Sequence, residues 1–105
     1  MEINNQHNFA FNGLNSKLAQ GIINKRVKSV NSYQIIEHEM FPYLKNSSIN
    51  TVLRPVKDSN RRLEAIVTDQ NNKEHVMKEG KLSSLLLSPA EFINGVVQFV
   101  KKLEK

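Results

Sequence analysis

Residues 88–92 read Ser88-Pro89-Ala90-Glu91-Phe92, and this stretch decides the fold because it marks the start of a helix. The Ser88 hydroxyl can accept a hydrogen bond from a free amide of the first turn. Pro89 suits the first helical position, where its missing amide hydrogen is not needed, and Glu91 completes a capping box with Ser88. Because these signals agree, the sequence predicts a helix that begins at Pro89.

Apolar residues recur along the rest of this segment at the spacing of one helix face. Leu87 can pack on Phe92 as a hydrophobic staple, and lysines occupy the last turn, where positive charge complements the helix dipole. The sequence therefore predicts a C-terminal helix over residues about 89–103. Its apolar stripe is also a hypothetical partner interface, formed by Phe92, Val96, Phe99, Val100 and Leu103.

Upstream of this helix, residues 50–80 have the composition of a small β-sheet. Residues 51–54 and 63–68 are rich in β-branched and aliphatic side chains, and residues 74–78 can return beside the second of these runs. Polar turn residues separate the three segments. We expect a single α+β domain in which a three-stranded antiparallel meander is packed by the C-terminal helix and by one or two N-terminal helices.

The turn between the last two predicted strands fixes their register. Asn71-Asn72 can adopt the positive φ angles of a two-residue hairpin turn. In that register Val67 lies opposite Val76, and Ile66 lies opposite Met77 on the other side of the ribbon. Both faces of the hairpin then carry an apolar pair, which indicates cover on both faces or pairing with another chain.

In the N-terminal part, Leu14, Leu18 and Ile22 fall four residues apart, which predicts an amphipathic helix over residues 15–28. Before it, Phe9 and Phe11 would share one face of a short edge strand. Residues 1–8 are expected to be a frayed tail.

Two further segments are harder to assign from their patterns. Residues 33–41 fit either a helix or a strand; Ser32 as a cap favours a short helix, and Pro42 should end it at Phe41. Residues 81–87 read as a connector, either a strand or one helical turn. We expect the leucines 85–87 of this connector to be buried.

Length and composition restrict the class of protein. A chain of 105 residues with 39% hydrophobic side chains suits one domain over residues 1–105 with one core. The chain has no cysteine, which excludes disulfides and thiolate chemistry and favours an intracellular, cytoplasmic location. Its longest aliphatic run, Leu85-Leu86-Leu87, is far shorter than the roughly 20 residues that span a membrane, so we expect no membrane insertion.

The net charge of +5 at pH 7 suits an acidic partner such as nucleic acid, an anionic lipid surface or an acidic protein. The abundance of lysine and asparagine can equally reflect compositional drift, which raises the charge without any selected binding surface. Both interpretations stay open at this point.

No residue pattern predicts catalysis or metal binding. The histidines His7, His38 and His75 are far apart, and none has a second ligand at the spacing of a helical zinc site. His75 is expected on the hairpin surface opposite Thr68. The chain has only four glycines, none in a phosphate-binding loop, and no nucleophile elbow. We expect no metal, no cofactor and no enzymatic activity.

Two functional hypotheses remain. In the first, the chain is an adaptor, inhibitor or other regulator that acts through a protein interface, with a partner or with a second copy of itself. In the second, it binds nucleic acid mainly through phosphate contacts. The basic residues assigned to those contacts are Lys25, Arg26, Lys28, Arg54, Lys57, Arg61 and Arg62.

Overall fold

Four strands form a mixed sheet in the computed structural model, which describes residues 13–105. β1 (Leu14–Asn15) runs parallel to β2 (Asn50–Pro55), and β3 (Leu63–Thr68) and β4 (Glu74–Lys78) continue antiparallel in the order β1-β2-β3-β4. The chain is thus a small compact α+β domain, as predicted. The antiparallel meander is present, but β1 adds a parallel edge strand that the prediction lacked.

The beginning of the described chain differs from the expected helix. Gly13 has a φ of +80°, and a Cβ atom there would lie 2.3 Å from the Leu44 carbonyl oxygen. This conformation places the Gly13 carbonyl where it accepts a hydrogen bond of 2.7 Å from the Thr51 amide, so Leu14 continues as a strand beside β2. The helix predicted over 15–28 is therefore reduced to α1 (Gln20–Arg26). The expected tail and the Phe9 and Phe11 strand lie outside the described residues.

The ambiguous middle segment is helical and longer than expected. α2 (Val30–Ile35), a π-helical turn (Ile36–Met40) and α3 (Phe41–Lys45) follow one another without a break. The cap is Ser29, whose hydroxyl oxygen accepts from the Ser32 amide at 3.0 Å, so the assignment of Ser32 as cap was wrong.

The predicted stop at Phe41 was also wrong. The Phe41 amide donates to the Ile36 carbonyl, five residues back, and this wider turn accommodates Pro42 inside the helix, where Pro42 has no amide to donate.

The two C-terminal helices are α4 (Lys81–Leu86) and α5 (Pro89–Leu103). The predicted bounds of α5 are confirmed: Pro89 is the first helical residue, and the Ser88 hydroxyl oxygen accepts from the Ala90 amide at 3.2 Å. The capping box expected between Ser88 and Glu91 is not formed, since the Ser88 hydroxyl caps Ala90 instead. Among residues 13–105 no helix has both the length and the apolar character needed to cross a membrane.

Two hydroxyl groups form hydrogen bonds at the C-terminal end of α5. The Tyr43 and Ser47 hydroxyls both donate to the Glu104 carboxylate, which joins the end of α5 to α3 and the loop after it. The Ser47 hydrogen bond, with a further contribution from Tyr43, lowers the pKa of Glu104. The same contact with Glu104 raises the pKa of Tyr43.

The β3–β4 register is shifted by one residue from the prediction, and Ile66 pairs with Val76. The connection is longer than a two-residue turn because the Asp69 carboxylate accepts hydrogen bonds from the amides of Asn71, at 2.8 Å, and Lys73, at 3.0 Å. These contacts close a five-residue loop, so every residue of the β3–β4 ribbon has a different cross-strand partner from the one predicted.

The two faces of the sheet have different environments. On one face Leu53, Ala65 and Val67 are fully buried and belong to the core cluster that contains the apolar stripe of α5. On the opposite face, called here the open face, lies an in-register row of aliphatic side chains that are partly buried or exposed. The row is formed by Val52, Ile66 and Val76.

Candidate functional site

Among residues 13–105, the largest group of exposed apolar side chains close together in sequence lies on α4 and at the residue after it. Its leucines, which we expected to be buried, point outward, and the only buried residue of α4 is Ser84. We call this group the leucine patch. It comprises Leu82, Leu85, Leu86 and Leu87, whose exposed fractions are 72%, 61%, 76% and 49%.

Polar contacts, rather than the leucines, hold α4 against the domain. The Arg61 guanidinium donates a hydrogen bond of 2.9 Å to the Ser84 carbonyl. The Arg26 Nη2 donates one of 3.0 Å to the Leu87 carbonyl, just past the end of the helix. Both arginines therefore satisfy carbonyl groups that a helix C-terminus leaves without an intrahelical partner.

Arg26 is itself part of a buried ion pair. Its Nη1 and Nη2 atoms contact the two Glu79 carboxylate oxygens at 2.5 and 2.9 Å, and the two side chains are only 3% and 2% exposed. Arg26 also donates to the Arg61 carbonyl at 2.8 Å, and Glu79 accepts from the Leu63 amide at 3.2 Å. The pair connects α1 to the end of β4 and to the residues around α4.

A cleft of about 460 Å³ lies between the end of α1 and the leucine patch. Lys25, Lys28 and Arg61 line it together with Leu85–Leu87, and no acidic residue is found among the described residues of its wall. We call it the cationic cleft. It joins a positive rim to an apolar surface, an arrangement suited to a ligand that carries both acidic and apolar groups.

The basic residues predicted to bind nucleic acid lie in different environments. Lys25, Lys28 and Arg61 meet at the cationic cleft. Arg26 is buried in the ion pair described above, and its charge is matched by Glu79.

The other three predicted contact residues lie near the ends of the strands. The Arg62 Nε donates to the Glu79 carbonyl at 2.8 Å. The Arg54 Nε contacts a Glu64 carboxylate oxygen at 2.6 Å on the open face of the sheet. Lys57 is exposed in the turn after β2. Arg54 and Arg62 thus already have partners within the molecule.

The predicted interface stripe of α5 packs against the domain's own core. Val96 and Val100 are fully buried, and Phe92, Phe99 and Leu103 pack against the same cluster as partly buried residues. The C-terminal helix was predicted to pack on the sheet, and its stripe was also a hypothetical partner interface; in the structure the stripe packs on the core. A larger exposed apolar group lies on α4 and at Leu87 just after it, where three leucines in a row were the available signal.

His75 occupies a different position from the one expected. It pairs with Val67, not Thr68, and its ring packs edge-on against Phe99 with the ring centroids 5.2 Å apart. Its Nε2 lies 3.0 Å from an Asp69 carboxylate oxygen, and this hydrogen bond lowers the pKa of Asp69. Within the described part of the chain, no three His, Cys, Asp or Glu side chains are grouped so that they could hold a metal ion.

Comparisons with known proteins were made at three levels. A scan against protein-family models finds no family that matches the chain. A comparison with curated proteins finds no match, and a comparison with solved structures finds none either.

Proposed function

We propose that this chain is a small non-catalytic protein-binding module that docks a segment carrying acidic and apolar side chains. The segment would lie on the leucine patch with its carboxylates facing the cationic cleft. The observation that carries the proposal is the direct junction of exposed Leu85–Leu87 with Lys25, Lys28 and Arg61 around one cavity.

The leucine patch supports the apolar part of this proposal. Leu86 is the most exposed residue of the patch, and Leu82 and Leu85 lie on the same short helix. Clustered apolar side chains on a surface are characteristic of interaction sites, since burying them in a complex is favourable by about 25 cal/mol per Å² of apolar area. The polar anchors of α4 fix the patch before a partner arrives, which lowers the ordering cost of binding.

The charge around the cleft supports the acidic part. Lys25 lies in the last turn of α1, and Lys28 lies just after the end of that helix. Arg61 lines the same cleft from the loop before β3. Opposite charges on a partner would accelerate encounter and fix its orientation, while contributing less to affinity than the leucines. Binding should therefore show a moderate salt dependence.

Nucleic acid binding is the alternative function. Tyr33 is 42% exposed and lines a neighbouring cavity that shares Lys28 with the cationic cleft, so it could stack on a base beside a phosphate contact. The leucine patch weighs against this alternative, because apolar side chains gain nothing from phosphates. The carboxylate partners of Arg26 and Arg54 also reduce the charge left for a nucleic acid backbone.

A display library of random linear peptides tests the proposal, since it samples acidic and apolar segments in every order. The full chain is immobilised, and the selected peptides should be rich in both Asp or Glu and Leu, Phe or Trp. Their affinities are then measured for the wild type and for Leu85→Ser with Leu86→Ser. We expect the double variant to bind at least about tenfold more weakly, because it removes two apolar anchors from the contact.

Matched controls separate the candidate functions. Leu18→Ser changes another exposed leucine, away from the patch, and should leave affinity unchanged. Single-stranded and duplex oligonucleotides are measured in parallel. Selected peptides whose affinity is unchanged by the leucine substitutions would contradict the proposal. Tight oligonucleotide binding that is lost in Lys28→Glu but kept in the leucine variant would also contradict the proposal and would favour nucleic acid binding as the function.

A further inference from the structure

β4 forms an outer edge of the described sheet, and its hydrogen-bond pattern shows which backbone groups face outward. The Glu79 amide donates to the Leu63 carbonyl at 2.8 Å, and the Asp69 amide donates to the Lys73 carbonyl at 3.0 Å. In an antiparallel ladder the hydrogen-bonded positions alternate, so residues 73, 75, 77 and 79 face β3. The N–H and C=O groups of residues 74, 76 and 78 then point away from the sheet.

At its centre this edge has few of the features that prevent strand pairing, although the strand has only five residues and carries Glu74 and Lys78 at its two ends. It contains no proline and no bulge, and its central residue, Val76, is 55% exposed. Proteins commonly protect such edges with a central lysine, a proline or a covering segment. Among residues 13–105, no strand lies beyond β4.

We infer that two copies of this chain associate through β4, as antiparallel strands related by a two-fold axis at Val76. In this register Val76 faces Val76 of the second copy, and Glu74 faces Lys78 of the second copy. Each of these positions has its backbone groups directed outward. The three pairs formed by residues 74, 76 and 78 are therefore of the hydrogen-bonded kind, residues 75 and 77 form the two pairs between them, and the two four-stranded sheets become one continuous sheet.

Charge complementarity selects this register among the possible ones. Moving the axis to residue 75 or 77 places Glu74 or Lys78 opposite a residue without opposite charge. Parallel pairing in register would set Glu74 beside Glu74 and Lys78 beside Lys78, which is unfavourable. Only the axis at Val76 satisfies both charges and the outward backbone groups together.

The open face gives the dimer an additional apolar contribution. The row Val52, Ile66 and Val76 ends at the edge of β4 and would continue directly into Val76 of the second copy. Beside it, Lys78 lies opposite Glu64 within the chain and would face Glu74 of the second copy on its other side. The inference is independent of the leucine patch, which lies on α4.

Sedimentation equilibrium of the full chain, from micromolar to millimolar concentration, tests the inference. The wild type should be in monomer–dimer equilibrium. Val76→Lys places two like charges across the axis and should raise the dimer dissociation constant at least about tenfold. Circular dichroism and thermal unfolding establish that the variant is folded.

A charge exchange makes the test specific for the register. Glu74→Lys alone should weaken the dimer, because two lysines then face each other, and adding Lys78→Glu should restore much of the lost affinity. Leu85→Ser with Leu86→Ser is the matched control and should dimerise like the wild type. A wild type that stays monomeric at millimolar concentration would overturn the inference. So would a dimer that tolerates Val76→Lys but dissociates in the leucine variant.

Discussion

α4 and α5 are consecutive helices with opposite uses of their apolar side chains. α5 buries Ile93, Val96 and Val100 in the core, whereas α4 exposes its leucines to solvent. α5 is therefore held by apolar burial and α4 by hydrogen bonds from Arg26 and Arg61 to main-chain carbonyls. From this difference we expect the leucines of α4 to contribute less to folding than the apolar residues of α5.

The caps of the two helices show the same contrast. α5 begins with a side-chain cap from Ser88, whereas Gly80 provides no side-chain cap for α4. With six residues, α4 is also far below the about 12–15 residues at which an isolated helix becomes marginally stable. We therefore expect its position to depend on the arginine contacts, and this dependence can be tested.

The largest effect is expected from Arg26→Ala. It leaves the Glu79 carboxylate buried without its ion pair and removes the donor to the Leu87 carbonyl. We expect the free energy of unfolding to fall by about 3–5 kcal/mol, measured by urea denaturation. Lys25→Ala is the exposed neighbour and should change it by less than about 0.5 kcal/mol. If the free energy of unfolding falls by less than about 1 kcal/mol in Arg26→Ala, the conclusion that polar contacts anchor α4 is contradicted.

A second pair of variants compares the two helices directly. Val96→Ala removes buried methyl groups from α5 and should lower the free energy of unfolding by about 2 kcal/mol. Leu86→Ala on α4 should change it by less than about 0.5 kcal/mol. For binding of the selected peptides the order should reverse, with the larger loss at Leu86. Comparable destabilisation by both substitutions would show that the leucines of α4 also support the fold.

The smallest effect concerns the hydrogen bonds to the Glu104 carboxylate at the C-terminal end of α5, which have no described counterpart on α4. The hydrogen bonds from Ser47 and Tyr43 lower the pKa of Glu104 in the folded state. The folded protein thus binds fewer protons at this site than the unfolded chain. The stabilisation is fully present above the ordinary pKa of a glutamate and is lost as the pH falls through the lowered value.

Melting temperatures of the wild type and Glu104→Gln, measured from neutral to acidic pH, check this expectation. The wild type should be slightly more stable at neutral pH, and the difference should shrink on acidification. A difference that grows as the pH falls would contradict the direction of the pKa change.

α5 could be predicted from the sequence because its signals are local. Ser88 and Pro89 mark its start by contacts within one turn, and the apolar period continues to Leu103. The position of β1 depends instead on a backbone contact between Gly13 and Thr51, distant in sequence. A two-residue strand has no period of its own, so no local pattern could reveal it.

The candidate site was harder to predict for the same reason. Arg26 resembles its neighbours Lys25 and Lys28 in the sequence, and only the distant Glu79 distinguishes a buried anchor from exposed cations. The leucines of α4 were expected in the core because their type is usually buried. In the structure α5, which has the longer apolar stripe, covers the sheet, and the leucines of α4 are exposed.

The reach of Arg26 also bears on the order in which the chain acquires its structure. Its partners lie 35, 53 and 61 positions further along, at Arg61, Glu79 and Leu87. α1 has only seven residues, too few for an isolated helix to be stable. We therefore expect α1 to become stable only when these distant segments are in place. Because closing such long loops is slow, we expect docking of α1 to be a late folding step that follows formation of the β2–β4 meander.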